Sequence, residues 1–134
     1  MNETSPTKYT YDINVVSVYD ADTITADIDL GFKVWWHGQR LRLYGVNAPE
    51  VRGPERVEGL VARDKVREWL RDADRVWINS VSDKAGKFGR PLAILCIEGW
   101  ERSVNHHLLK DGLATFASYS KKQSVIDEAR RLLE

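Results

Sequence analysis

Along the first third of the chain Tyr9, Tyr11, Ile13 and Val15 alternate with polar residues, and the apolar phase then moves to Val16 and Val18. Alternation with a period of two marks a strand with one covered face, and a one-residue change of phase marks a bulge or bend. The run "YDAD", Tyr19 to Asp22, is a turn signal. Beyond it Ile24, Ala26, Ile28 and Leu30 alternate against Thr23, Thr25, Asp27 and Asp29, so the two runs predict a hairpin. Gly31 and His37–Gly38 bracket a second reversal that holds Trp35 and Trp36. Leu41 and Leu43 then alternate with Arg40, Arg42 and Tyr44 as a third strand.

The period changes after Pro54, which suits a first helical turn. Ala62, Val66, Trp69 and Leu70 fall at helical spacing among charged residues, and a helix is expected over 54–70. "RVWINSV" (75–81) and "RPLAILCI" (90–97) read as strands joined by a polar loop with two glycines. Ser103 suits the cap of a short helix closed by Gly112. Ser124 with Asp127 resembles a capping box opening a last helix that packs Val125, Ala129, Leu132 and Leu133. The predicted order is β-β-β-α-β-β-α-α, an α+β chain whose five short strands follow the order of the OB-fold barrel, with three helices. Residues 1–8 are expected to form a disordered tail, and residues 9–134 a single domain.

Composition narrows the classes. A chain of 134 residues, 43% hydrophobic and 30% charged, buries one core and has no room for a second lobe. The formal net charge is zero, so any attraction to nucleic acid must come from local charge. Cys96 lies in the apolar run "LAILCI", where a thiol serves as a small core residue, and one cysteine makes no disulfide framework. The N-terminal residues lack a basic segment followed by an apolar one, and no apolar run approaches a membrane span. The expectation is a cytoplasmic protein without a membrane partner, or a secreted one if a signal has been removed.

The candidate chemistry sits at predicted strand ends: Asp20 and Asp22 in the first turn, Arg42 on the third strand, Asn47 and Glu50 just after it, and Arg90 at the fifth. Arginine offers a planar fork that matches two phosphoryl oxygens and stabilises charge growing there. A carboxylate beside it can take a proton from water, while another holds a hard cation through oxygen. Read residue by residue, the same set also fits solvated charges at turns and rims.

Four stretches in order, "VYDADT", "RLRLYGVNAPE", "KFGRPLA" and "SVNHHLLKDGLA", together resemble the thermonuclease family, the staphylococcal nuclease homologues. The resemblance implies an OB-fold barrel with three helices, and one calcium ion, or another divalent cation, used to hydrolyse DNA or RNA. The expected products carry 3′-phosphates, and little sequence choice is expected. It implies Asp22 as a metal ligand, with Asn47 and the backbone carbonyl of Ala48 completing the set. It implies Arg42, Glu50 and Arg90 as the catalytic residues. Lys87, Tyr119 and Trp35 are candidates for contact with the substrate, a single-stranded or denatured DNA or RNA bound by a monomer.

The departures point the other way. Asn47 stands where the best-known members have a second metal-binding aspartate, and Ala48 where they have threonine; calcium affinity follows ligand charge. Asp20, Asp27 or Asp29 are the candidates to restore that charge, although Asp27 and Asp29 share the strand face opposite Ile24 and Ile28 and are expected to be solvated. Ser118 and Ser120 replace the family's tyrosines in register, with Tyr119 between them. Trp35 and Trp36 fit either a stacking platform on a projecting hairpin or a plug closing the barrel end. Adjacent His106 and His107 diverge around a helix and are expected to be a partly exposed pair rather than shared ligands. The alternative to an enzyme is a non-catalytic OB module that binds nucleic acid or a protein partner.

Overall fold

The computed structural model describes residues 7–81, 91–118 and 121–134. In chain order it holds β1 (Thr7–Asp20), β2 (Thr23–Asp29), β3 (Trp35–Leu43), β4 (Val46–Asn47), α1 (Arg56–Arg71), β5 (Val76–Val81), β6 (Leu92–Ile97), α2 (Val104–Lys110), β7 (Thr115–Phe116) and α3 (Gln123–Leu133). Five strands close a barrel in the order β1-β2-β3-β6-β5, with β5 returning to β1. All seams are antiparallel except β3–β6, a short parallel pairing of Arg42 with Leu92 and Leu43 with Ala93. This is the expected α+β, OB-like barrel with three helices.

The change of phase in β1 is a bulge. The register to β2 shifts between Val15 and Ser17, and again between Val18 and Asp20. Val18 is buried as expected, but Val16 is the extra residue and is turned 59% into solvent. Period-two alternation elsewhere puts Ile24, Leu41, Leu43 and Leu95 fully inside, each worth about 1.5–3 kcal/mol of transfer energy. Val104 and Leu108 of α2 join this core. Ala129 and Leu133 of α3 close a second cluster with Tyr44, Val81 and Ile94, while Leu132 and Val125 are half-buried.

Pro54 lies in a 3-10 turn, Gly53–Glu55, and α1 follows at Arg56. Its buried stripe is Gly59, Ala62 and Val66, one turn longer toward the N-terminus than the apolar spacing suggests. Ser103 caps α2, its hydroxyl accepting from the His106 amide at 3.0 Å. The capping box at Ser124 is not formed. α3 begins at Gln123 after Lys122, no side chain caps it, and Asp127 accepts instead from the Gln123 amide nitrogen at 2.8 Å. Cys96 is half-buried rather than central, and burial pushes its thiol pKa up. The two-residue strands β4 and β7, which pair with each other, have no periodicity to betray them.

Candidate active site

The turn that joins β1 to β2 is buried: Asp20, Ala21, Asp22 and Thr23 expose 6%, 0%, 3% and 3%. It is tucked under the end of β3, where the Leu43 amide donates to the Asp22 carbonyl at 2.8 Å. Buried carboxylates need partners, and Asp22 has three. The Thr23 hydroxyl donates to Oδ1 at 3.0 Å, and the Ala48 amide donates to Oδ2 at 2.9 Å. Arg42 brings Nη1 to 3.5 Å from Oδ2. The third expected strand and the turn after it are thus tied to the first turn through a single carboxylate.

Asp20 lies against Asp22, accepting from the Asp22 amide at 3.2 Å. Burial, with the neighbouring Asp22 carboxylate behind it, pushes the Asp20 pKa up to about 7. Of the three aspartates that could restore charge, Asp20 is the one brought to the site. Asp27 and Asp29 are half-buried but turned to the β2–β3 hairpin, where they accept from the Gly38 and Gly31 amides, each at 2.8 Å. The Gly38 bond holds the Asp27 pKa down.

Asn47 and Glu50 flank Ala48 on the same turn, and both are exposed. The backbone of Asn47 is fixed by pairing with Thr115, whose hydroxyl also donates to the Asn47 carbonyl at 3.3 Å. The backbone at Glu50 lies against Gly59 of α1, where a Cβ would overlap the Glu50 carbonyl. Helix and turn approach that closely because the helix carries no side chain there.

Asn105 was not among the candidates, yet it organises this end of the barrel. It is fully buried on α2. Its Oδ1 accepts from the Leu95 amide at 2.9 Å, and its Nδ2 donates to the Tyr44 and Ala93 carbonyls at 2.9 and 3.1 Å. It thereby fastens the end of β3 to β6. The available signal was a polar residue among the apolar positions of α2, one position from Val104.

Trp35 is not at this site. It starts β3 seven residues before Arg42, about 23 Å along an extended strand. Trp35 and Trp36 are 38% and 48% exposed on the projecting β2–β3 hairpin, so neither closes the barrel. Arg90, Lys87 and Tyr119 lie outside the described residues; Pro91 accepts from the Arg42 amide at 2.9 Å. The two histidines do diverge. His106 Nδ1 donates to the Leu133 carbonyl at 2.6 Å, and His107 packs edgewise on Trp69 and Trp100.

Among the described residues no group of three or more His, Cys, Asp or Glu side chains is placed to hold a metal. The acidic donors here are two, Asp20 and Asp22, crowded and buried so that one resists ionisation. Both Asp22 oxygens already accept hydrogen bonds and the Asn47 carbonyl accepts from Thr115, so a hard divalent cation would find here a set of two carboxylates and neutral neighbours. The negative charge of that set is low.

A small closed barrel with helices packed on it, bearing a buried aspartate paired with a half-buried arginine, defines an OB-like domain with a polar cluster at that point. The family model of the staphylococcal nuclease homologues matches residues 40–134, more than two thirds of the chain, and the chain belongs to that family. The match begins within β3, so it includes Arg42, Asn47 and Glu50 and leaves the Asp20–Thr23 turn before it. No curated protein matches the chain.

Proposed function

We propose that the protein is a phosphodiesterase that hydrolyses single-stranded or denatured nucleic acid with the help of a divalent cation, calcium by preference. The observation that carries the reading is the pairing of Arg42 with Asp22 at 3.5 Å, where Asp22 also accepts from the Ala48 amide of the turn that carries Glu50. Asp22 and Asp20, with oxygens of Asn47 and Ala48, would hold the cation, which supplies Lewis-acid polarisation of a phosphoryl oxygen. Arg42, held in orientation by Asp22, receives the non-bridging oxygens, and Arg90 is assigned the second contact. Glu50 accepts a proton from the attacking water, whose oxygen adds to phosphorus. The bond to the 5′ oxygen breaks, that oxygen leaves with the bonding pair and is protonated by solvent, and a 3′-phosphate remains. Both arginines offset the charge that grows on the phosphoryl group.

A non-catalytic binding module is the second reading, favoured by the neutral Asn47 and the low acidic charge of the site. Incubation with denatured DNA and with RNA, in calcium and in chelator, followed by identification of the product ends, separates the two. Arg42→Ala, Glu50→Gln and Arg90→Ala should each lower turnover by about a hundredfold or more, with little change in thermal unfolding for Glu50→Gln and Arg90→Ala, while Arg42→Ala also destabilises by leaving the buried Asp22 without its cation. Full hydrolysis in chelator removes the cation from the scheme. No hydrolysis under any of these conditions favours the binding module.

A further inference from the structure

The chain has no net charge, yet five arginines meet in one groove. Arg56, Arg63, Arg67 and Arg71 recur on α1 at steps of seven, four and four residues, which places them on one side of the helix over about 22 Å of its axis. Two adjoining depressions, of about 460 and 420 Å³, lie between this side of the helix and the bulge of β1. Both share Ser17, Val18 and Arg67 in their lining; the first adds Arg52, Arg56 and Arg63, and the second adds Arg71. The bulge that turns Val16 outward helps form the floor.

One end of the groove is built from segments that run on into the candidate active site. Its first depression is lined by Tyr19, next to Asp20, and by Val51 and Arg52, next to Glu50. Tyr19 is 43% exposed, and the Arg40 guanidinium lies 5.0 Å from its ring centre. The acids that face these arginines are weak competitors. Asp64, itself 61% exposed, is 3.0 Å from Arg63 and 4.0 Å from Arg67, and Arg71 meets Asp72 at 3.8 Å in solvent. Such exposed pairs hold by about 1 kcal/mol or less. Among the described residues Arg52 and Arg56 have no ion pair.

We propose that this arginine-lined groove between α1 and the bulge of β1 is a track for the phosphodiester backbone of a single-stranded nucleic acid, continuous with the Asp22–Arg42 site. Repeated planar forks at helical intervals match repeated phosphates, and an aromatic ring at one end suits a base. The identity of the ligand rests on the phosphodiesterase reading, whereas the existence of a polyanion track rests on the groove itself.

The test is binding of a fluorescein-labelled single strand long enough to span the groove, measured by anisotropy in chelator over a range of salt. The triple variant Arg56→Gln, Arg63→Gln, Arg71→Gln is compared with the wild type. Arg67 is kept because its guanidinium donates to the Val18 carbonyl at 2.9 Å. At about 0.7 of salt slope per phosphate contact, three lost contacts should lower the slope by about 2 and the affinity by about a hundredfold in about 0.1 M salt. The matching lysine triple, which also controls for folding, should keep the slope.

An unchanged slope in a folded glutamine triple overturns the track, as does tighter binding of a poly-glutamate peptide than of the strand. Strand binding with the predicted loss, but no hydrolysis by the wild type, sustains the track and removes the enzymatic reading. Hydrolysis with an unchanged slope does the reverse.

Discussion

Replacing Asn105 by alanine should cost far more than its single polar side chain suggests. The substitution strands the buried Leu95 amide, which has Asn105 Oδ1 as its partner at 2.9 Å, and an orphaned donor costs about 1–3 kcal/mol. The Tyr44 and Ala93 carbonyls also lose a donor. Ala93 keeps the Tyr44 amide at 2.8 Å, so these losses are smaller, about 0.5–1 kcal/mol each. With the void left behind, the total is about 3 kcal/mol, a large share of the ~5–15 kcal/mol that holds a domain together. At a urea slope of about 1–3 kcal/mol per molar, the unfolding midpoint should fall by about 1–3 M.

Asn105→Asp sharpens the test. The carboxylate can still accept from Leu95 but faces two carbonyl oxygens, so its folded-state pKa rises above its unfolded value. Protonated, it donates to one of them, and stability is kept at low pH. As pH rises through the folded-state value the stability is lost. The urea midpoint of Asn105→Asp, taken relative to the wild type, should therefore be much lower at about pH 8 than at about pH 4. An alanine variant that loses less than about 1 kcal/mol, or an aspartate variant with no such trend, refutes the assignment of Asn105 as the clasp.

Three further outcomes are expected. Gly59→Ala, which in an isolated helix would gain about 1 kcal/mol, should here lower the melting temperature and the activity together, because a methyl collides with the Glu50 carbonyl; a stabilised, fully active variant would contradict this. Burial against the tryptophans holds the His107 pKa below its ordinary 6.5. The unfolded chain then takes up a proton that the folded one refuses, so wild-type stability should fall as pH drops below 6.5, and urea titrations of His107→Gln should show a smaller fall. Asn47→Asp should tighten calcium binding by about tenfold, or about 1.4 kcal/mol, in a calorimetric titration, through the added ligand charge; unchanged or weaker binding takes Asn47 out of the cation's shell.

Much of the barrel is written locally. The β1–β2 hairpin, α1 and the cap of α2 follow from periodicity and from residues such as Ser103 whose chemistry acts within a few positions. Val16 shows the limit, since a change of phase announces a bulge without saying which residue is expelled. Ser124 and Asp127 show another: the pattern of a capping box was present, but the Gln123 side chain took Asp127 and the helix began two residues earlier. The site was legible only where a motif carried it, as with Asp22 and Arg42. Asn105 and Gly59 act on partners ten to sixty positions away or on bare backbone, and no local pattern encodes that. The arginine spacing on α1 was visible, but its meaning depended on the bulge of β1 facing it.

The parallel seam between β3 and β6 has a consequence for how the protein comes to exist. Its paired residues, Arg42 and Leu92, are about fifty positions apart, whereas β1, β2 and β3 are linked by short turns. Contacts of long sequence separation demand loop-closure entropy in advance, so the hairpins assemble early and the seam late. Amide protection during refolding should therefore reach Ile24 before Arg42 and Tyr44. Arg42 already faces Thr23 in the early β2–β3 hairpin, beside the acidic turn, and the late seam adds the Pro91 and Ala93 carbonyls that fix the Arg42 and Tyr44 amides.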